Sequence, residues 1–272
     1  MEARVLAGPT DTQTSAQPPF AREPLPAVCR AIGARTHAFF LDVDGTLIDI
    51  AAHPDAVVVP EGLPDTLSAL AGSADGALAL VSGRTVERLD LLFAPARFAA
   101  AGSHGAQIRL FPGAAVDAAP DLDRVLAARL IALAGTFEGA FTEDKGPSLA
   151  IHYRAHPAIA PVLRRAIAEV LGPWPELAVL PGHHVFEIKR AGRDKGTAVA
   201  AFMARAPFAG RVPVFIGDDV TDEAAFRAVS AAGGVAIAVG TAREGAEAVL
   251  PDPPAVRRFL THLAAEPRQR RR

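Results

Sequence analysis

The strongest constraint on the fold is a run of four apolar residues, Ala38-Phe39-Phe40-Leu41, that stops abruptly at Asp42-Val43-Asp44-Gly45. The run has no alternation of polar and apolar positions, so neither face of the strand it forms is expected to meet water. A strand buried on both faces belongs to a parallel sheet covered by helices. Runs of the same kind occupy residues 77–81, 212–216 and 235–239, and the intervening residues 63–71, 86–93, 195–204 and 222–229 carry apolar side chains at helical spacing. Strands alternating with helices predict an α/β fold with a doubly wound parallel sheet, whose ligands sit beyond the carboxyl ends of the strands. Three of the runs end in polar clusters, at 42–46, 82–84 and 217–222, and such a fold gathers all three at one edge.

The 272 residues are enough for a core domain and a smaller companion. Residues 112–188 break the core's rhythm: a helix near 121–133, strand-like 148–153, a helix near 158–171, then strand-like 178–180 and 185–188. This is the pattern of an inserted α+β domain, leaving 36–111 and 189–267 as the core. Residues 1–35, with Pro9, Pro18, Pro19, Pro24 and Pro26, are expected to form a flexible leader. The formal net charge is -2 with half the residues hydrophobic, which gives no basis for binding nucleic acid. Arg268, Arg270, Arg271 and Arg272 read as a solvated tail. Cys29 is the only cysteine, so no disulfide can form within the chain and nothing requires an oxidising compartment. No apolar run reaches the roughly 18 residues that cross a bilayer, and no signal-peptide pattern is seen. A cytoplasmic protein with no membrane partner, monomeric or weakly oligomeric, is expected.

Asp42-Val43-Asp44-Gly45-Thr46-Leu47 sets two carboxylates two residues apart at a strand end, with a glycine that lets the chain turn. One carboxylate can attack phosphorus, and its neighbour can protonate the departing alcohol and later deprotonate water. A calcium loop is excluded, because positions six and twelve from Asp42 hold Leu47 and His53 in place of glycine and glutamate. Gly217-Asp218-Asp219-Val220-Thr221-Asp222-Glu223 crowds four further carboxylates. They call for a compensating cation such as magnesium, and they also suit a helix start. Val81-Ser82-Gly83-Arg84 offers a hydroxyl and a helix N-terminus to a phosphate oxygen, or a simple cap. Lys195, opening a helix after Asp194, supplies a positive charge of the kind a phosphoryl transition state needs, although an exposed lysine is the usual case.

In this order the four segments resemble the four motifs of the haloacid dehalogenase superfamily. The resemblance implies a Rossmann-like core with an inserted cap domain. It implies Asp42 as nucleophile, Asp44 as general acid and base, and Ser82 and Lys195 as phosphoryl-binding groups. It also implies Mg2+ held by the Asp42 side chain, the Asp44 backbone carbonyl and Asp218, with Asp219 or Asp222 in support. A finer resemblance, to trehalose-6-phosphate phosphatases, runs through Gly102-Ser103-His104-Gly105-Ala106, Glu143-Asp144-Lys145-Gly146-Pro147-Ser148, His152-Tyr153-Arg154 and Glu187-Ile188-Lys189. It implies a mobile cap over the sugar, with substrate contacts from Arg84, His104, Lys145, Arg154, Glu187 and Lys189. Arg190 departs from the family, where proline is common.

From pattern alone His152 and Arg154 share one strand face, which is either a substrate wall or a solvated surface. His183 and His184 read as surface or packing residues, since no further metal ligands lie at suitable spacing. Hydrolysis of trehalose 6-phosphate is the leading expectation. Phosphatases of sucrose phosphate or mannosyl-phosphoglycerate, a hexose phosphomutase, and a non-catalytic sugar-phosphate sensor on the same fold are the alternatives.

Overall fold

The computed structural model describes residues 26–51, 56–182 and 184–265. The opening run forms β1, His37–Leu41, buried at every position. Next come α1, Leu63–Ser73, and β2, Leu78–Val81, then α2, Val86–Leu92, and β3, Ala99–Gly102. Two short strands follow, β4, Gln107–Arg109, and β5, Asp117–Ala118. A second unit comprises α3, Arg124–Ala134, β6, Phe141–Asp144, β7, Ser148–His152, α4, Ala160–Leu171, β8, Leu177–Gly182, and β9, Val185–Arg190. The chain then completes the first sheet with α5, Lys195–Met203, β10, Val212–Gly217, α6, Glu223–Ala231, β11, Val235–Val239, β12, Ala248–Leu250, and α7, Pro253–Ala264.

The larger sheet has eight strands in the order β12-β11-β10-β1-β2-β3-β4-β5. It is parallel from β12 to β3 and antiparallel at β4 and β5. From β1 the chain crosses to β2 on one side and later enters β10 on the other, so the strand order reverses at β1. Right-handed crossovers running in opposite directions along a sheet put their helices on opposite faces, here α1 and α6. A crevice opens at such a reversal, and Asp42 stands at its floor. Phe39, Phe40, Phe215 and Ile216 are fully buried beside it, each contributing about 1.5–3 kcal/mol by leaving water.

The smaller sheet is wholly antiparallel, in the order β6-β7-β9-β8. Its alternating residues divide cleanly. Leu149, Ile151, Phe186 and Ile188 join Leu126 and Leu130 of α3 and Leu163 and Ile167 of α4 in a core separate from that of the larger sheet. The other face of β7 and β9 presents Ser148, His152, Glu187 and Lys189, as period-two alternation requires. This polar face turns toward the crevice.

The strands at 77–81, 212–216 and 235–239, and the four core helices, appear within a few residues of their expected bounds. The leader differs. Residues 1–25 lie outside the described residues, but residues 26–35 are not loose: Ala27–Ala31 forms a 3-10 turn, and Cys29, Ile32 and Ala34 join the core. Arg211 holds this segment by donating to the carbonyls of Ala34 and Arg35. The basic tail also lies outside the described residues. Among the described residues no helix is long and apolar enough to cross a membrane.

Candidate active site

Four strand ends or turns bring the charged groups together. Asp42 follows β1 directly and is 4% exposed. Its Oδ1 accepts from Lys195 Nζ at 2.7 Å, and the same ammonium donates to Asp222 Oδ1 at 2.6 Å. Lys195 is therefore buried, 2% exposed, because the Asp194 capping box starts α5 at this depth. Gly196 permits the approach, as a Cβ there would overlap the Ala224 carbonyl. The remaining Asp222 oxygen accepts the Asp219 N–H at 2.9 Å, so both oxygens of this fully buried carboxylate are committed.

Gly45, at φ +82°, makes the turn that lets Asp218 come close; any Cβ at this position would collide with the Asp218 carboxylate. Thr46 Oγ1 donates to Asp218 Oδ1 at 3.1 Å, and Arg243 Nε donates to the Asp218 carbonyl at 2.8 Å. Oxygens of Asp42, Asp218 and Asp222 lie within 4.8 Å of one another. Asp219 is not in this cluster; its Oδ1 accepts the Val220 N–H in capping the turn before α6.

Burial pushes the Asp42 carboxyl well above the usual carboxylate range; Lys195 opposes that shift, while Asp222 and Asp218 add to it. Burial, followed by Asp222, likewise raises Asp218 to about 6. For Lys195, burial disfavours the ammonium, but Asp222 and Asp42 outweigh it and hold the group above its ordinary value. Two buried carboxylates and the half-buried Asp218 thus share the Lys195 ammonium. An all-oxygen donor set short of positive charge fits a hard divalent cation.

Arg84 forks onto Asp44, with Nε and Nη2 donating to Oδ2 and Oδ1 at 2.8 and 2.7 Å. The Arg84 N–H donates to Ser82 Oγ at 3.2 Å. Across the crevice, Glu187 is 4% exposed and accepts from Ser148 Oγ at 2.7 Å and Lys145 Nζ at 3.2 Å, with His104 Nε2 at 3.1 Å. Burial works against the Glu187 carboxylate, yet His104 and Lys145 hold its pKa below the usual range. Lys145 also donates to the Gly83 carbonyl at 3.0 Å, and Lys189 to the His104 carbonyl at 3.3 Å. Arg154 sits at the rim, donating to the Ala51 carbonyl at 3.2 Å.

A cavity of about 300 Å³ lies between the sheets, walled by Asp42, Asp44, Ser82, Arg84, Lys195 and Asp219 on one side and Lys145, Arg154 and Glu187 on the other. Of the residues singled out from the sequence, Lys189 and Asp222 are set behind this wall, and Asp218 faces a neighbouring cleft with Gly45 and Arg243. Arg243 had no signal in the sequence, being a lone arginine in a loop. Ile50, Val57 and Phe141 line the mouth, and scattered apolar residues in loops or on an edge strand give no pattern to find. His184 makes an edge contact with Tyr153 at 6.0 Å, a packing role; His183 lies outside the described residues.

The family model described as trehalose-phosphatase matches residues 40–252. The chain is 41% identical over 237 residues to the trehalose-6-phosphate phosphatase of Escherichia coli, covering 86% of this chain and 89% of that protein. It is 44% identical over 236 residues to a probable trehalose-phosphate phosphatase of Sinorhizobium fredii, covering 84% and 87%. Its fold matches the C-terminal domain of Candida albicans trehalose-6-phosphate phosphatase with a TM-score of 0.76 at 20% identity, covering 85% and 93%.

Proposed function

The chain belongs to the trehalose-phosphatase family and is a phosphoric monoester hydrolase, and from that premise we propose that it hydrolyses trehalose 6-phosphate to trehalose and phosphate through an aspartyl-phosphate on Asp42. The observation that carries the reading is the buried Asp42–Lys195 pair beneath a cavity whose opposite wall is the polar face of the smaller sheet. The smaller sheet, which runs to Arg190, acts with α3 and α4 as the cap over the sugar, and the larger sheet, which includes Asp117–Ala118, acts with its helices as the catalytic core.

In the first step an Asp42 oxygen attacks phosphorus, and the bond from phosphorus to the sugar oxygen breaks with its electron pair left on that oxygen. Asp44, protonated, gives its proton to the departing alkoxide. In the second step water attacks the phosphorus, Asp44 takes the proton, and the bond to Asp42 breaks to restore the carboxylate. Lys195 and the Ser82 hydroxyl hold phosphoryl oxygens while charge spreads over them. The Asp42 carboxylate, the Asp44 carbonyl and Asp218 would hold a magnesium ion, which would supply the positive charge that lets a dianionic phosphate approach these acids. Asp222 supports by fixing Lys195 and the Asp219 backbone. Lys145, Arg154 and Glu187 meet sugar hydroxyls, and exclusion of water by the closed cap strengthens every charge contact within.

The test is phosphate release from trehalose 6-phosphate, sucrose 6-phosphate, mannosyl-phosphoglycerate and glucose 6-phosphate, with magnesium and with excess chelator. Preference for trehalose 6-phosphate, lost in chelator, is expected. A better turnover of another sugar phosphate would reassign the substrate, and full activity in chelator would remove the metal.

A further inference from the structure

The turn between β3 and β4 has an unusual backbone. Ser103 and His104 hold φ of 47° and 50°, ahead of Gly105 at 94°, a region disfavoured for any residue with a Cβ. The core side fixes it: the Ser103 N–H donates to the Arg84 carbonyl at 2.8 Å and the His104 N–H to the Ser82 carbonyl at 3.0 Å. This conformation lays the imidazole against Gly83, where a Cβ would overlap the ring.

From the other side the same residue is held by the smaller sheet. Its Nε2 lies 3.1 Å from Glu187 Oε2 and its carbonyl accepts Lys189 Nζ at 3.3 Å. Lys145 closes a ring of contacts by bonding both Glu187 and the Gly83 carbonyl. From Gly83 the chain runs into Arg84, which forks onto Asp44. The His104 Nδ1 is buried with no hydrogen-bond partner. A protonated ring would bury a second N–H without an acceptor, and burial, first among its surroundings, lowers the His104 pKa. The ring is therefore neutral, with its single proton on Nε2 and donated to Glu187.

We infer that His104 is a positioning residue, linking the sugar-facing wall at Glu187 and Lys145 to the turn at residues 82–84 and, through Arg84, to Asp44. The inference rests on the sugar-phosphatase reading, since only a substrate that engages Glu187 or Lys145 draws on the link. A sugar hydroxyl seated there fixes the Gly83 turn and so the orientation of Arg84 against Asp44. A small aryl phosphate, without such hydroxyls, is processed with the turn less constrained.

The experiment measures kcat and KM for trehalose 6-phosphate and for a small aryl phosphate in the wild type, His104→Phe, His104→Gln and Gly83→Ala, after circular dichroism and melting confirm the fold of each. His104→Phe keeps a ring against Gly83 but cannot donate to Glu187. Its ratio of kcat/KM, sugar over aryl, should drop about 10–100-fold, the worth of one charge-assisted hydrogen bond, through kcat more than KM. His104→Gln, whose amide reaches toward the Nε2 position, should recover most of the ratio. Gly83→Ala, which displaces the ring, should reproduce the loss and serves if His104→Phe does not fold. Equal losses on both substrates, no loss, or no rescue by glutamine would overturn the inference. If the wild type ignores trehalose 6-phosphate but cleaves another sugar phosphate, only the substrate reading has failed, and the ratio is taken on that sugar. Cleavage of no sugar phosphate overturns both.

Discussion

Replacing Lys195 by methionine isolates the electrostatic problem at the heart of this site. The ammonium touches Asp42 at 2.7 Å and Asp222 at 2.6 Å, all three groups being buried. Methionine nearly fills the volume but leaves Asp42, Asp218 and Asp222 crowded within 4.8 Å. Breaking a buried pair by removing one partner costs about 3–5 kcal/mol, which in a protein of this size corresponds to a melting temperature lower by about 6–20 °C. Deprived of the ammonium, a carboxylate in the cluster keeps a proton in the folded state that the unfolded chain has already lost. An acid whose folded pKa is raised destabilises the fold progressively as pH climbs from its unfolded value, about 3.9 for Asp, through the folded one. The deficit relative to wild type should therefore shrink as pH falls through the raised folded value toward the unfolded one. A second change, Asp222→Asn in the Lys195→Met background, removes the stranded charge and should regain at least half of the lost stability without regaining turnover. Turnover itself should fall about 100-fold or more, the usual cost of losing one group that stabilises transition-state charge. Differential scanning calorimetry and phosphate release read both effects. A Lys195→Met protein that melts within about 2 °C of wild type, or a double variant less stable than the single, would refute the charge argument.

Asp44→Asn should impair a sugar phosphate, whose alkoxide needs a proton, by far more than an aryl phosphate, whose leaving group does not; equal impairment in steady-state assays would count against the acid role. Away from the site, Asp90 accepts two bonds from the buried Arg109 at 2.7 and 2.6 Å, and chiefly through them its carboxyl lies below the usual range. A lowered folded pKa stabilises above the unfolded value and is lost as pH falls through the folded one. Asp90→Asn should therefore cost about 1–3 kcal/mol at neutral pH, with the gap to wild type closing below about pH 4 in thermal melts; a gap independent of pH would refute the assignment.

The parts of the fold legible in the sequence are those where a single rule acts without competition. Ala38-Phe39-Phe40-Leu41 can only be a strand buried on both faces, and its abrupt change to Asp42 marks the sheet edge. The acidic segment after Ile216 is legible for the same reason. β3, by contrast, is Ala99-Ala100-Ala101-Gly102, a composition equally suited to a helix, and only its place in the sheet decides. β6 is absent from the sequence reading because Phe141 and Thr142 precede two acids whose side chains split between opposite faces, leaving no strand pattern. Residues 26–35 depart from the expected leader because prolines and polar residues hide the three side chains, Cys29, Ile32 and Ala34, that pack on the core. Within the site, spacing along the chain shows which groups are present but not their pairings. That Lys195 bridges Asp42 and Asp222, that Arg84 takes Asp44, and that His104 meets Glu187 are consequences of the crossovers, which bring residues more than 25 positions apart into contact.

The central claim is that Asp42 is the atom donor to phosphorus. The most direct measurement is phosphate release from trehalose 6-phosphate by wild type and Asp42→Asn, both shown by circular dichroism to be folded. The amide preserves shape and relieves the crowding of carboxylates but cannot attack phosphorus. Asp42→Asn should therefore be at least as stable as wild type and slower by about a thousandfold or more. A folded Asp42→Asn protein that retains a tenth or so of wild-type turnover would contradict the mechanism, because no loss that small is compatible with removal of a covalent nucleophile.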